Sequence, residues 1–206
     1  MYQTRQSSST KLPIPRKGTK YVAIASSHRY DSVPAVIAVR NMLKLAKTAK
    51  EVRMMVNLKI LKINGRVVMD KRESIKLFNT FDAGKQYILT LLQTGKFALE
   101  ENKNKDLRLC KVVNKTLIAK NKIQLNLHDG TNILTNDKIS VGDSVYLDLS
   151  NKIKKHISLE KGKEVFILSG KYTGMKGKIE GIEGKKVDVK FKDKEAQLNQ
   201  YQVILL

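Results

Sequence analysis

Cations recur along this chain at spacings that suit a phosphate backbone better than a reaction. Arg40, Lys44 and Lys47 stand at i, i+4 and i+7, and Lys50 and Arg53 follow close behind. On a helix the first three lie along one strip. Arg16, Lys17 and Lys20 crowd the N-terminal region, where no acidic residue precedes Asp31, and Lys59 and Arg66 flank an Asn-Gly dipeptide. Lys171, Lys176 and Lys178 surround Tyr172 in a glycine-rich stretch. Rows of ammonium and guanidinium groups neutralise successive phosphates and release their condensed counterions. A basic strip on a helix is often only a solvated face. The neighbouring cations of the next helix and turn favour the phosphate-facing reading.

Composition points the same way. Lys and Arg total 40 against 19 Asp and Glu, a formal net charge of +21, and the sequence pI is near 10. Such a balance calls for a polyanionic partner. A membrane surface is the weaker choice, because no apolar run approaches the ~18 residues of a spanning helix and no long basic amphipathic helix is evident. Cys110 is the single cysteine, which excludes an intrachain disulfide and a thiolate cluster. With no apolar leader, a cytoplasmic location is expected. Trp is absent and aromatic residues make up 6% of the chain, so contacts to shape and phosphate are expected more than base stacking.

Signatures of catalysis are missing. His28, His128 and His156 are far apart and not in metal-ligand spacing. Neither GxxxxGK[ST] nor GxGxxG occurs, and no GxSxG elbow or catalytic-cysteine signature marks a nucleophile. Most carboxylates adjoin lysines, as in Asp70-Lys71. We therefore expect no enzyme activity, no cofactor, no metal and no small-molecule substrate.

Local patterns define the elements that would hold these cations. Thr48 and Glu51 have the spacing of a capping box, and Val52, Met55 and Val56 line one face of the helix it starts. Asn64-Gly65 then joins apolar runs at 60–63 and 66–69 as a tight hairpin. Upstream, Asp31 or Ser32 before Pro34 predicts another helix start, with Val36, Val39, Leu43 and Ala46 facing the core. Residues 1–32 form a basic arm whose prolines exclude helix, and it is expected to be loose until it meets RNA. Beyond residue 73 the pattern is β: runs at 87–92 and 96–99 flank Thr94-Gly95, a charged loop covers 101–106, and Ile123, Leu125 and Leu127 alternate with polar residues before Asp129-Gly130. Val145, Leu147 and Leu149 repeat the alternation. Gly170, Gly174 and Gly177 then allow sharp turns and close approach to a phosphate. The fold class is α+β, with an arm at 1–32 and domains at 33–82, 83–158 and 159–206.

Four blocks carry a family resemblance: KLPIPRKGTKYVA (11–23), INGRVVMD (63–70), CKVVNKT with KIQLNLHDGTNIL (within 110–134), and ILSGKYTGMKGKI (167–179). In this order they resemble the archaeal and eukaryotic form of small-subunit ribosomal protein four. The central block is the most specific. The resemblance implies a two-helix plus β-hairpin RNA-binding domain, a central β domain and a C-terminal SH3-like KOW barrel. It implies a structural constituent of the small ribosomal subunit that binds its rRNA beside neighbouring ribosomal proteins, without catalysis. It also places Arg16, Lys17, Lys20, Arg40, Lys44, Lys47, Arg53 and Arg66 where the family presents charge to RNA. Lys59 departs from the family, whose members often have glycine between the second helix and the hairpin. The chain lacks the C-terminal extension associated with eukaryotic members, so the archaeal version is expected. Helix-hairpin and KOW units also occur in trans-acting RNA-binding factors of ribosome assembly, RNA modification and transcription elongation, which is the alternative reading.

Overall fold

A computed structural model describes residues 2–102, 107–119, 122–191 and 194–206. It forms two compact units, Met1–Lys105 and Asp106–Leu206. Residues 103–106 of the expected charged loop lie outside the described residues.

In the first unit, strands β1 (Tyr2–Thr4) and β2 (Tyr21–Ala23) pair antiparallel. The arm is therefore folded where looseness was expected. Leu12, Val22, Ile24 and Ala25 are buried, and the Lys11 carbonyl accepts from the Phe97 N–H at 2.9 Å, so the segment buries enough apolar surface to order itself.

Strand β3 (Ser32–Pro34) pairs with β6 (Ser74–Lys76), and only then does helix begin. The expected cap at Asp31 or Ser32 is absent. The Ser32 hydroxyl donates to the Ser27 and His28 carbonyls, Asp31 pairs with Lys11, and Pro34 occupies the cap position without a side-chain bond. Helix α1 (Ala35–Ile37) passes into one π-helical turn (Ala38–Met42) and stops before Lys44, which is left-handed at φ 55°. Residues 35–39 are all buried, so this segment is a plug through the unit and not an amphipathic surface helix.

Helix α2 (Ala49–Asn57) starts at Thr48 as expected. The Thr48 hydroxyl oxygen accepts the Glu51 N–H, and the Glu51 carboxylate accepts the Lys47 N–H at 2.8 Å. That N–H and the Thr48 hydroxyl hold the Glu51 carboxyl below the usual range. Val52 and Val56 are buried. The helix ends in a Schellman motif: the Ile60 N–H reaches the Met55 carbonyl and the Lys59 N–H the Val56 carbonyl, with Lys59 left-handed at φ 57°. A lysine thus occupies the position that glycine usually fills, and the helix-to-strand geometry is kept.

The hairpin follows as β4 (Lys62–Ile63) and β5 (Arg66–Val67), with Asn64 and Gly65 at φ 51° and 80°, both positive as a type I′ turn requires. Strands β7 (Thr80–Asp82), β8 (Gln86–Leu91) and β9 (Phe97–Glu101) extend it into one sheet of order β5-β4-β7-β8-β9. The boundary drawn at 82/83 falls inside this sheet, because β7 and β8 are antiparallel neighbours joined by a short turn.

The second unit contains two five-stranded antiparallel sheets. The first comprises β10 (Leu107–Ala119), β11 (Lys122–Leu127), β12 (Asn132–Thr135), β13 (Ser144–Asp148) and β14 (Ile153–Ile157), in the order β12-β11-β10-β13-β14. Leu125, Leu127, Val145 and Leu147 fill its core with Cys110 and Val112. The second comprises β15 (Glu164–Ile167), β16 (Lys176–Glu183), β17 (Lys186–Lys190), β18 (Glu195–Asn199) and β19 (Val203–Leu205), in the order β18-β17-β16-β15-β19. Val165, Ile167, Ile179, Val187, Val189 and Leu205 pack inside it. The two sheets are fastened together: the Lys111 ammonium donates to the Gln200 and Val203 carbonyls, and the Leu205 N–H to the Ser144 hydroxyl. The described residues are mostly β with two short α-helices, where the α+β assignment gave helix more weight.

Candidate nucleic-acid interface

The β1–β2 ribbon positions the first group of cations. Alternation buries Gln3 and Val22 and turns Tyr2, Thr4 and Tyr21 outward. Arg5 pins the intervening loop: its guanidinium donates to the Thr19 carbonyl at 2.8 Å, the Pro15 carbonyl at 2.6 Å and the Thr19 hydroxyl at 3.0 Å. Gly18, at φ 140°, lets this guanidinium come close, since a Cβ there would sit 2.9 Å from an Arg5 nitrogen. Arg16, Lys17 and Lys20 project outward as a result, each exposed, with no described carboxylate in salt-bridge contact.

Beside the ribbon lies an open cleft of about 630 Å³ whose lining includes Lys17, Tyr2, Tyr21, Arg40, Lys71 and Arg72, and no described carboxylate. Arg40 is half-buried and donates to the Asn41 side chain at 3.1 Å. Arg53 lines an adjoining concavity with Tyr2, Lys71 and Arg72, where Asp70 enters. The Arg72 guanidinium, 3.0 Å away, holds the Asp70 carboxyl below its usual range, and Asp70 raises Arg72 in turn. Arg16 and Lys20 share a third concavity with Arg5. The cations of 16–20, 40, 53 and 71–72 thus form neighbouring parts of one positive surface.

The other predicted cations of this unit are scattered. Arg40, Lys44 and Lys47 do not form a helical strip, because the π turn ends before Lys44, and Lys47 precedes the α2 cap. Lys44, Lys47, Lys50 and Lys59 are exposed. Arg66 is bound at 2.6 Å by Glu73, a carboxylate that also accepts the Met69 N–H. Sequence reasoning missed Arg5, Lys71, Arg72 and the tyrosine pair. Lys71 stands beside Asp70 in sequence and so carries no separate signal, and that for Tyr2 and Tyr21 lies in the alternation of two short strands.

In the second unit Tyr172 packs its ring on Phe191, centroids 4.9 Å apart and planes at 23°, against the core of the last sheet. The Lys171 ammonium lies 5.9 Å above that ring. Lys176 and Lys178 are exposed on β16 and share a shallow groove with Lys190, which is bound by Glu180 and Glu195. Gly170 and Gly174 supply positive φ for the turn. Gly177 serves packing: a Cβ there would lie 2.5 Å from a Val189 methyl, so its bare backbone admits β17.

Two cations that look like surface charges are interior. Arg108 pairs with Asp129 inside the central sheet and also donates to Asn151. Lys111 is buried, and burial pulls its pKa down to about 8. Burial pushes the Cys110 thiol up, which leaves it inert. The His156 ring lies 2.8 Å from Asp143, whose carboxylate also takes the Ser140 and Leu159 N–H groups. Among the described residues no group of three or more His, Cys, Asp or Glu is placed to hold a metal, and no helix is long and apolar enough to cross a membrane.

Over 185 residues the chain is 33% identical to small ribosomal subunit protein eS4 of Archaeoglobus fulgidus, covering 87% of this chain and 79% of that protein. This chain belongs to the ribosomal S4e family. The eS4 protein of Methanocaldococcus jannaschii is 31% identical over 195 residues, covering 87% of this chain and 80% of its own length. The crystal structure of the 30S ribosomal protein S4e from Thermoplasma acidophilum superposes with a TM-score of 0.74 at 26% identity, covering 85% of this chain and 95% of that one. The profile of the ribosomal family S4e matches residues 83–153, and that of the KOW motif residues 161–193.

In this S4e chain the two matched segments take in strands β8 to β13 and strands β15 to β17 of the last sheet. The positive surface of the first unit lies outside both.

Proposed function

We propose that this chain is a structural constituent of the small ribosomal subunit, cytoplasmic and non-catalytic, that binds small-subunit rRNA through phosphate and shape contacts. The observation that carries the reading is the surface of the first unit, where Arg16, Lys17, Lys20, Arg40 and Arg53 converge on adjoining hollows, the largest without a described carboxylate. A net charge of +21 supports it, as does membership of a family whose archaeal relatives are named for the small subunit. On this reading the first unit contains the helix-hairpin RNA-binding domain, and the last sheet is the SH3-like KOW barrel, with Lys171, Lys176 and Lys178 as a second, weaker contact. Neighbouring ribosomal proteins would cover part of the remaining surface.

Sucrose-gradient fractionation of cell extract tests it. Stoichiometric presence in mature small subunits and translating ribosomes is the expected result. Confinement to free or precursor fractions would instead identify a trans-acting assembly factor.

A further inference from the structure

Tyr2 and Tyr21 are 69% and 51% exposed, and their ring centroids are 5.0 Å apart with planes inclined at 58°. Two large aromatic rings left in water on the outer face of a ribbon forgo the burial that would stabilise them. Their position is fixed from below, since the cross-strand register sets both on one face and Arg5 ties the loop between the strands at three points. Both rings line the cleft of the first unit, next to Lys17, Arg40 and Lys71, with Val22 and Val36 in its lining and no described carboxylate. The Lys20 ammonium stands 5.5 Å from the Tyr21 ring centre.

Such a constellation distinguishes between ligands. An apolar peptide would use the rings but gain nothing from the cations. A regular RNA duplex would use the cations but hides its base faces in the stack, leaving the rings idle. A single-stranded nucleotide uses both, because any base offers a face to an aromatic ring while its flanking phosphates meet the basic groups. We propose that Tyr2 and Tyr21 form a stacking site for an unpaired RNA base, flanked by Lys17, Lys20 and Arg40, which take the adjoining phosphates. This rests on the RNA-binding reading and adds to it the class of RNA that the cleft takes: an unpaired nucleotide of a loop, bulge or single-stranded junction.

The test compares binding of the full chain to a short single-stranded RNA and to the same strand annealed in a duplex, by fluorescence anisotropy over a range of salt. Replacing both rings in Tyr2→Ala/Tyr21→Ala should weaken single-strand binding roughly tenfold or more, with duplex affinity and both salt slopes unchanged. The Tyr2→Phe/Tyr21→Phe variant keeps the rings and should bind like wild type, and circular dichroism of both variants should match it. Wild-type single-strand binding should also quench tyrosine emission, and the alanine variant should lose part of that quenching. Alanine variants that bind single strands as wild type does, or lose affinity equally for duplex, would overturn the stacking site while leaving RNA binding intact. A wild-type chain that binds neither RNA would overturn the RNA-binding reading itself.

Discussion

Arg108 and Asp129 form a salt bridge inside the central sheet with side chains only 2% and 1% exposed. Thr131 completes the site, its N–H donating to one Asp129 oxygen at 2.9 Å and its hydroxyl to the other at 2.9 Å. Removing one partner of a buried pair strands the other charge, so Asp129→Ala should destabilise by about 3–5 kcal/mol. Chemical denaturation measures it.

The same pair sets a pH dependence. Burial opposes ionisation of Asp129, but Arg108 and the Thr131 donors outweigh it and hold the carboxyl below the usual range. The native state then binds fewer protons than the unfolded one as pH falls through the carboxylate range. The pair's contribution is complete above the unfolded pKa of about 3.9 and is lost as pH falls through the lower native value. The stability gap between wild type and Asp129→Asn should narrow as pH drops below about 4, measured by denaturant midpoints across pH. A gap constant with pH would contradict the linkage.

Lys59 holds a left-handed conformation at φ 57° that closes α2. Glycine adopts it without the Cβ clash, so Lys59→Gly should raise stability by about 0.5–1 kcal/mol. A β-branched Lys59→Val should lower it by a similar amount. Thermal unfolding of the three proteins gives the order.

Gly177→Ala should cost about 1–3 kcal/mol, because the new methyl meets Val189 at 2.5 Å and the Lys190 carbonyl at 2.9 Å. RNA affinity corrected for the folded fraction should not change. A loss of affinity in folded protein would return Gly177 to phosphate approach.

On the positive surface, Lys17→Ala, Lys20→Ala and Arg53→Ala combined should reduce the slope of log affinity against log salt by about 2–3, at roughly 0.7–0.9 per phosphate contact. Reversal of Arg40, Lys44 and Lys47 to Glu should weaken RNA binding with circular dichroism intact. Arg40→Glu should account for most of the loss, because of the three only Arg40 lines the cleft.

How far each feature could be read depended on how local its cause was. The α2 start and the Asn64-Gly65 turn were legible because cap, apolar stripe and positive-φ residues are sequence neighbours. The helix expected after Ser32 was not, since Ser32–Pro34 is drawn into a strand by Ser74–Lys76. Nor could local pattern show that β7 and β8 pair across residues 82 and 83, because that register is set by the sheet they share.

The cations show the same division. Sequence by itself determined the chain's charge, the local hairpin and α2, the strand alternation, and the motifs that resemble the ribosomal family. Tertiary structure decided which cations stay exposed and which are buried with partners. Arg108 and Lys111 carry the same groups as Arg16 and Lys17, yet the first two are buried against Asp129 and the Gln200 and Val203 carbonyls, while the last two stand in water, Lys17 beside the tyrosine pair. The charge of a side chain is set by its chemistry, but its availability is set by burial and by partners that the fold brings from distant parts of the chain.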